Sequence, residues 1–405
     1  MKIDDKTSHN SPSLRFPEFT GEWEKCKLGT LATKVGSGST PKGGDAVYTS
    51  IGHYFVRSQN VGMGFLMLDN IAHINDDIHQ KHKATEIYEN DVLLNITGAS
   101  IGRTAVATKE LEGGNVNQHV CIIRTNSKVN PKFLCDYIQT QRIQNHIKSL
   151  QTGGSREGLN FEQIRSFPIS LPSINEQNKL TCLLDKINER IATQVRLIDR
   201  LQSLIKGINR TIFTGSGLEY SLCDVCEIRS GYSGNQLQGG KGLGVSRIET
   251  ISAHNINLER IGYVAPFDAS ENYRLQVGDI LFSNINSVEY IGNTAFIDKD
   301  YNLYHGMNLL RLIPFRNVVV PFYLYILLNT NRMLKHFKTI CNKAVSQASI
   351  NQKELGKTIV MLPSLEKQKQ VCNIYQAMYS KLKTEKDVLS FYQEQKRYLL
   401  RHMFI

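Results

Sequence analysis

Leu171-Pro172-Ser173-Ile174-Asn175-Glu176-Gln177 returns about 190 positions later, altered, as Leu362-Pro363-Ser364-Leu365-Glu366-Lys367-Gln368. Each copy opens a run of apolar residues at alternating steps of four and three. In the first run these are Leu180, Leu184, Ile187, Ile191, Ile198, Leu201, Ile205, Ile208 and Ile212, interrupted by Gln194. In the second they are Val371, Tyr375, Met378, Leu382, Leu389, Tyr392, Leu399 and Met403, with Glu385 and Lys396 as polar exceptions. That spacing is a heptad seam, with which two helices bury a common stripe. Pro-Ser ahead of each run is a start signal, and Ser173 with Glu176 predicts a capping box. Lys367 cannot repeat it, although Glu366 still puts a favourable charge in the first turn.

Working outward from the two junctions, the rest of the chain falls into register as a tandem duplication. Asp91-Val92-Leu93 matches Asp279-Ile280-Leu281, and Ile101-Gly102-Arg103-Thr104-Ala105 matches Ile291-Gly292-Asn293-Thr294-Ala295. Pro131 matches Pro321, Arg57 matches Arg247, and Ile212-Phe213 matches Met403-Phe404. Between these landmarks the halves diverge, most of all over residues 36–82 against 230–270. One framework therefore carries two unlike sets of loops, as suits a protein that reads two unlike targets.

A helix of about 40 residues spans roughly 60 Å, which would put the two domains at its opposite ends. The second helix would bury its seam by running back along the first. The expected fold class is α/β (mixed α+β), with two pseudo-repeated globular domains separated by two long antiparallel coiled-coil helices. The boundaries are a tail over 1–20, a first domain over 21–170, a helix over 171–213, a second domain over 214–361 and a helix over 362–405. The seam comprises Leu184, Ile187, Ile191, Gln194, Ile198, Leu201, Ile205, Tyr375, Met378, Leu382, Glu385, Leu389 and Tyr392. Gln194 and Glu385 share one seam position, either as a register-setting polar pair or as two independently solvated side chains.

The chain has 405 residues and a formal net charge of +11, so polyanions are favoured partners. A generally basic surface is the plain alternative. No apolar signal segment opens the sequence and no run would span a bilayer, which predicts a cytoplasmic protein off the membrane. Its eight cysteines are then free thiols, and Cys223 and Cys226, lacking a second pair at zinc spacing, read as buried apolar residues. GxxxxGK[ST], HExxH and GxSxG are missing, and Gly239-Gly240-Lys241-Gly242-Leu243-Gly244 does not fit GxGxxG. Asn130-Pro131-Lys132-Phe133 reads as a helix start, His79 and His82 as a polar loop or DNA-facing surface, and Asp91 and Asp279 as turn residues. No catalytic or metal-binding residue is predicted.

Side chains suited to base edges and phosphates lie in the predicted loops. In the first half they are Lys42, Arg57, Gln59, Asn60, Asn95, Thr97, Ser100, Arg103, Gln118, His119 and Arg156. In the second they are Arg247, Glu249, Asn284, Asn286, Ser287, Asn293, His305, Lys343 and Gln347. Arg57 and Arg247, shared by both halves, fit a DNA contact or a structural ion pair.

The duplicated plan, the Leu171–Gln177 junction, and Leu14-Arg15-Phe16-Pro17-Glu18-Phe19 followed by Trp23 together resemble type I restriction specificity subunits. The resemblance covers essentially the whole chain, with Lys367-Gln368 as its departure. It implies a non-catalytic subunit whose two target-recognition domains each read half of a split, asymmetric sequence in double-stranded DNA. It further implies two methyltransferase subunits docked on the helices and restriction (motor-nuclease) subunits in a larger assembly. S-adenosylmethionine, ATP and magnesium would belong to those partners, with no cofactor in this subunit. A related methyltransferase–nuclease complex, a stand-alone methyltransferase or nuclease, and a coiled-coil scaffold without DNA readout are the other readings.

Overall fold

The computed structural model describes residues 10–151, 158–212, 217–238, 240–251, 255–343 and 347–405. They form two compact units, Met1–Val195 with Asp387–Ile405, and Arg196–Lys386.

The first unit runs β1 (Glu24–Lys27), α1 (Leu28–Leu31), β2 (Ala32–Ser37), β3 (His53–Val56), β4 (Ala72–Ile74), α2 (Asp76–Lys81), β5 (Val92–Asn95), β6 (Thr104–Val106), β7 (Asn115–Val116), β8 (Val120–Thr125), α3 (Pro131–Gln139), α4 (Gln141–Gln151), α5 (Phe161–Arg165) and β9 (Pro168–Leu171). The long helix α6 (Ile174–Ile212) follows. An antiparallel sheet of order β2-β8-β5-β6 lies at the centre, beside a β4-β3-β7 sheet and a β1-β9 pair. Strand residues alternate between the two faces. Val92, Leu94, Cys121 and Ile123 enter a core shared with α3, α4 and the long helices, while Leu93, Val120 and Ile122 enter a second core with Val56, Ile87 and Val116. With both faces covered, these strands read as continuous apolar runs.

The second unit follows the same plan, without counterparts of α2 and β7 among the described residues and with a β15-β19-β18 sheet of its own: β10 (Leu218–Ser221), α7 (Leu222–Val225), β11 (Cys226–Ser230), β12 (Leu243–Val245), β13 (Gly262–Val264), β14 (Ile280–Phe282), β15 (Ile285–Asn286), β16 (Thr294–Phe296), β17 (Leu310–Pro314), α8 (Pro321–Leu328), α9 (Asn331–Ile340), β18 (Asn342–Lys343), β19 (Ala348–Ser349), α10 (Gln352–Gly356), β20 (Ile359–Leu362) and α11 (Leu365–His402). Its central sheet, β11-β17-β14-β16, has the topology of the first, and β10-β20 repeats β1-β9. Helices α3 and α8 both begin on a proline, as their sequences predict, and the Asn130 side chain accepts from the Lys132 and Phe133 N–H groups.

Within the first unit, the start of α6 and the end of α11 lie side by side. Leu180 and Leu184 share a core with Met403 and Phe404, and the Arg190 guanidinium sits 5.9 Å from the Tyr392 ring centroid. Earlier residues of one helix thus meet later residues of the other, so the two run antiparallel there. Every seam side chain, Gln194 and Glu385 included, is buried or half-buried. Glu385 also pairs with Lys381 one turn back, at 2.5 Å. The correspondence of Ile212-Phe213 with Met403-Phe404 falls outside the described side chains.

Three local expectations are corrected. Ser173 Oγ does accept from the Glu176 N–H at 3.4 Å, but the Glu176 carboxylate does not complete the box. It takes two hydrogen bonds from Arg15, of 2.7 and 2.8 Å, which tie the N-terminal segment to the helix start. Cys226 is buried as predicted, whereas Cys223 is exposed. His79 is buried and bonded to Asn115 at 2.8 Å, so it faces neither solvent nor DNA.

The repeated feature of the junction is its glutamine. Gln177, fully buried, accepts from the Asn130 N–H at 2.8 Å and donates to the Lys128 and Pro172 carbonyls. Gln368 does the same with the Val320 N–H and the Val318 and Pro363 carbonyls. Each amide clamps a long helix to the turn before α3 or α8. Gln368→Leu keeps the bulk but orphans three partly buried backbone groups, and should lower stability by roughly 3 kcal/mol in urea denaturation. A loss below about 1 kcal/mol would remove the clamp from this account.

Candidate nucleic-acid interface

Strand pairing gathers the loop residues of the first unit at one end of its sheets. The turn Asn117–His119 joins β7 to β8 and forms the hub. Its Asn117 N–H bonds the Val56 carbonyl, its Asn117 carbonyl takes the Gly38 N–H, and its His119 carbonyl takes the Ile96 N–H. The loop after β2, the turn after β3 and the loop after β5 therefore all meet it. Gly38 lies so close that a Cβ there would stand 1.7 Å from the Val116 carbonyl oxygen, and a Cβ on Gly231 would stand 1.8 Å from the Gly306 carbonyl oxygen. Both halves need glycine at this crossing.

Around the hub, Arg57 is half-buried over the Tyr48 ring, 5.5 Å from its centroid, and its Nε has no partner among the described residues. Gln59, Arg103, Gln118 and Lys42 are exposed, and Thr97, Ser100 and His119 half-buried. Asn60 and Asn95 are not on the surface. Asn60 Oδ1 accepts from the Arg57 N–H at 2.9 Å and its amide donates to Met67, while Asn95 donates to the Ser58 carbonyl at 2.8 Å. Buried amides are retained because they satisfy backbone groups. These two hold the turn that presents Arg57 and Gln59, and are corrected from candidate base contacts to supports. Arg156 lies outside the described residues.

The second unit builds the same end with other side chains. Arg247 follows β12, its N–H held by Thr250 Oγ1 at 2.9 Å, and its guanidinium is taken by Gln236 Oε1. A Cβ on Gly262 would stand 2.3 Å from both partners of that contact, so the arginine lies flat across β13. Asn286 pairs with Ala348, which also pairs with Lys343, bringing those two candidates together; Lys343 and Gln347 are exposed. Asn286 and Asn293 are half-buried, and Ser287 and Glu249 exposed. Asn284 is turned inward, donating to the Ile350 carbonyl at 3.4 Å, with Oδ1 buried. His305 is buried and bonded to the Leu309 carbonyl at 2.9 Å; burial, only partly offset by that bond, lowers its pKa to about 4. It is a neutral core imidazole, another correction.

Tyr232 and Phe267, absent from the sequence candidates, stack at 3.6 Å with Tyr273 edge-on. Tyr232 lies at the crossing, its N–H on the His305 carbonyl. Among the described residues no group of acidic, histidine and cysteine side chains could hold a metal ion, and no helix is long and apolar enough to cross a membrane.

A model of the type I restriction modification DNA specificity domain matches residues 20–203 and again 218–390. The chain belongs to this family. The type I restriction enzyme MjaX specificity subunit of Methanocaldococcus jannaschii is 38% identical over 187 residues, which is 45% of this chain. The match spans 44% of that relative, less than half of its length. The crystal structure of the type I restriction-modification S subunit from M. genitalium has the same fold, with a TM-score of 0.61 at 17% identity over 98% of this chain and 99% of that one. A structure solved for complex assembly and conformational transition of the type I restriction-modification system gives a TM-score of 0.58 at 18% identity, covering 93% and 96%. The duplication read from the sequence is thus two copies of the family domain.

Proposed function

We propose that this chain is the DNA-recognition subunit of a type I restriction-modification complex in the cytoplasm, contributing recognition rather than catalysis. Each unit reads one half of a bipartite, asymmetric target, through the residues gathered at its turn hub. The long helices offer surfaces to two methyltransferase subunits, with restriction subunits joining the larger assembly. S-adenosylmethionine, ATP and magnesium are carried by those partners.

The observation that carries this reading is the repeat of one framework, down to the glycine crossing and the glutamine clamp, under two different sets of polar loop side chains. A scaffold without readout has no use for that difference, because loops of a pure spacer need only be soluble. Specificity should therefore move with a domain. Replacing residues 21–170 by the corresponding domain of a relative, in the complex with its methyltransferase subunits, should change one half of the methylated sequence and leave the other. Mapping of modified adenines that found both halves changed, or neither, would refute it.

A further inference from the structure

We propose that Gln118 reads an adenine in the half-target of the first unit, through an amide held in place by Thr40 and His119. This rests on the recognition function proposed above and assigns one of its contacts.

Three loops supply the arrangement. Thr40 Oγ1 donates to Gln118 Oε1, Gln118 Nε2 lies 3.2 Å from His119 Nε2, and His119 Nδ1 lies 2.5 Å from Thr97 Oγ1. With its nitrogen toward His119 the amide donates to Nε2 and the ring proton sits on Nδ1, given to Thr97; turned over, it donates to Thr40 and accepts from Nε2 while Thr97 donates to Nδ1. Either way round, the relay takes one N–H and one oxygen lone pair of the amide and holds the side chain in place. Thr40 reaches it because Gly38, where no Cβ fits, lets the loop after β2 lie against Val116.

Gln118 is nonetheless exposed. After its internal bonds the amide keeps one N–H and one oxygen lone pair. In the major groove adenine offers an acceptor, N7, beside a donor, the N6 amino group, whereas guanine offers two acceptors. One remaining donor beside one remaining acceptor is the complement of adenine. Because the side chain is already held, less rotamer freedom is lost on binding. Arg57, leaving the strand bonded to Asn117, places a cation beside the same hub for phosphate or guanine.

The test uses the full chain assembled with its methyltransferase subunits and the sequence that this complex modifies. Each adenine of the first half-target, on either strand, is replaced in turn by 7-deazaadenine, which lacks the N7 acceptor. Wild-type affinity should fall roughly tenfold or more at one position. Gln118→Leu should show that loss on unmodified DNA and be indifferent to replacement at that adenine alone. Gln118→Glu, which keeps the shape but has no N–H, should behave alike, and Thr40→Val should lose a few-fold at the same position. Continued sensitivity of Gln118→Leu at every adenine would overturn the assignment, as would a uniform loss across sequences, the mark of a phosphate contact. A half-target without adenine would overturn it too. If the wild-type complex selects no defined sequence, or the domain exchange leaves the first half-target unchanged, the recognition function falls and the assignment with it.

Discussion

An Arg311→Met variant should lose about 3–5 kcal/mol, among the largest effects of any single substitution in the second unit. Arg311 Nη2 lies 2.6 Å from Asp279 Oδ2, with only 5% and 4% of the two side chains exposed. Asp279 also accepts the Gln276 N–H at 2.7 Å, closing the turn into β14. Burial pushes its carboxyl upward, against the pull of the Gln276 N–H and Arg311. Without the guanidinium, a buried carboxylate must either stay unpaired or take up a proton. The double variant with Asp279→Asn should recover part of the loss. Far-UV circular dichroism in urea measures both, and a single-variant loss under about 1 kcal/mol would mean that the pair is not holding the sheet. In the first unit Arg124 grips Asp91 through two bonds of 2.8 Å but is partly exposed, so Arg124→Met should cost less. Since β14 leads directly to Asn284 and Asn286, a weakened turn should, under the recognition function proposed above, also blur the second half-target.

The repeat and the seam were legible because they are periodic, and periodicity survives without knowledge of contacts. Leu184, Ile187 and Ile198 are buried where their spacing puts them. The polar candidates were not separable in the same way. Asn60, Asn95 and His305 have the residue types and loop positions of base contacts, yet their side chains satisfy backbone groups in the interior. Only the fold tells which way an amide points. Glu176 failed as a cap for a related reason: Arg15, 161 positions away, offers a charged partner that no local rule anticipates. The same pair explains Lys367. Gln177 and Gln368 clamp to turns within their own halves and are repeated, whereas Glu176 serves an N-terminal segment ahead of the first half. Gln118 was a candidate by type, but its relay with Thr40 and His119 needed three loops brought together by strand pairing.

The two units should respond to pH in opposite directions. His305 ordinarily titrates at 6.5 but at about 4 in the fold, because burial disfavours the imidazolium, the Leu309 bond notwithstanding, with Arg311 adding repulsion. Between those values the unfolded chain binds the proton and the folded unit does not. The contribution of His305 to the second unit therefore rises with pH across that window, by up to about 3 kcal/mol, and is lost on acidification, while Asp279, raised by burial, works against it. Asp136 in the first unit does the reverse. Burial lifts its carboxyl from 3.8 to about 7 despite Lys396, whose Nζ binds the neighbouring Gln139. Here the folded unit keeps a proton that the unfolded chain has released, so stability is greatest below pH 4 and falls by up to about 4 kcal/mol as pH rises to 7. Hydrogen exchange localised by mass spectrometry, corrected for intrinsic rates, can follow β5 and β17 separately. From pH 4.5 to 7, protection should increase in β17 and decrease in β5. Other groups titrate in this range, so the decisive quantity is the difference made by substitution. His305→Gln should flatten the β17 response, and Asp136→Asn should both flatten the β5 response and raise its protection at pH 7, since a neutral amide needs no desolvated charge. Unchanged slopes in the two variants would assign the pH response to other groups and leave these buried side chains without a part in it.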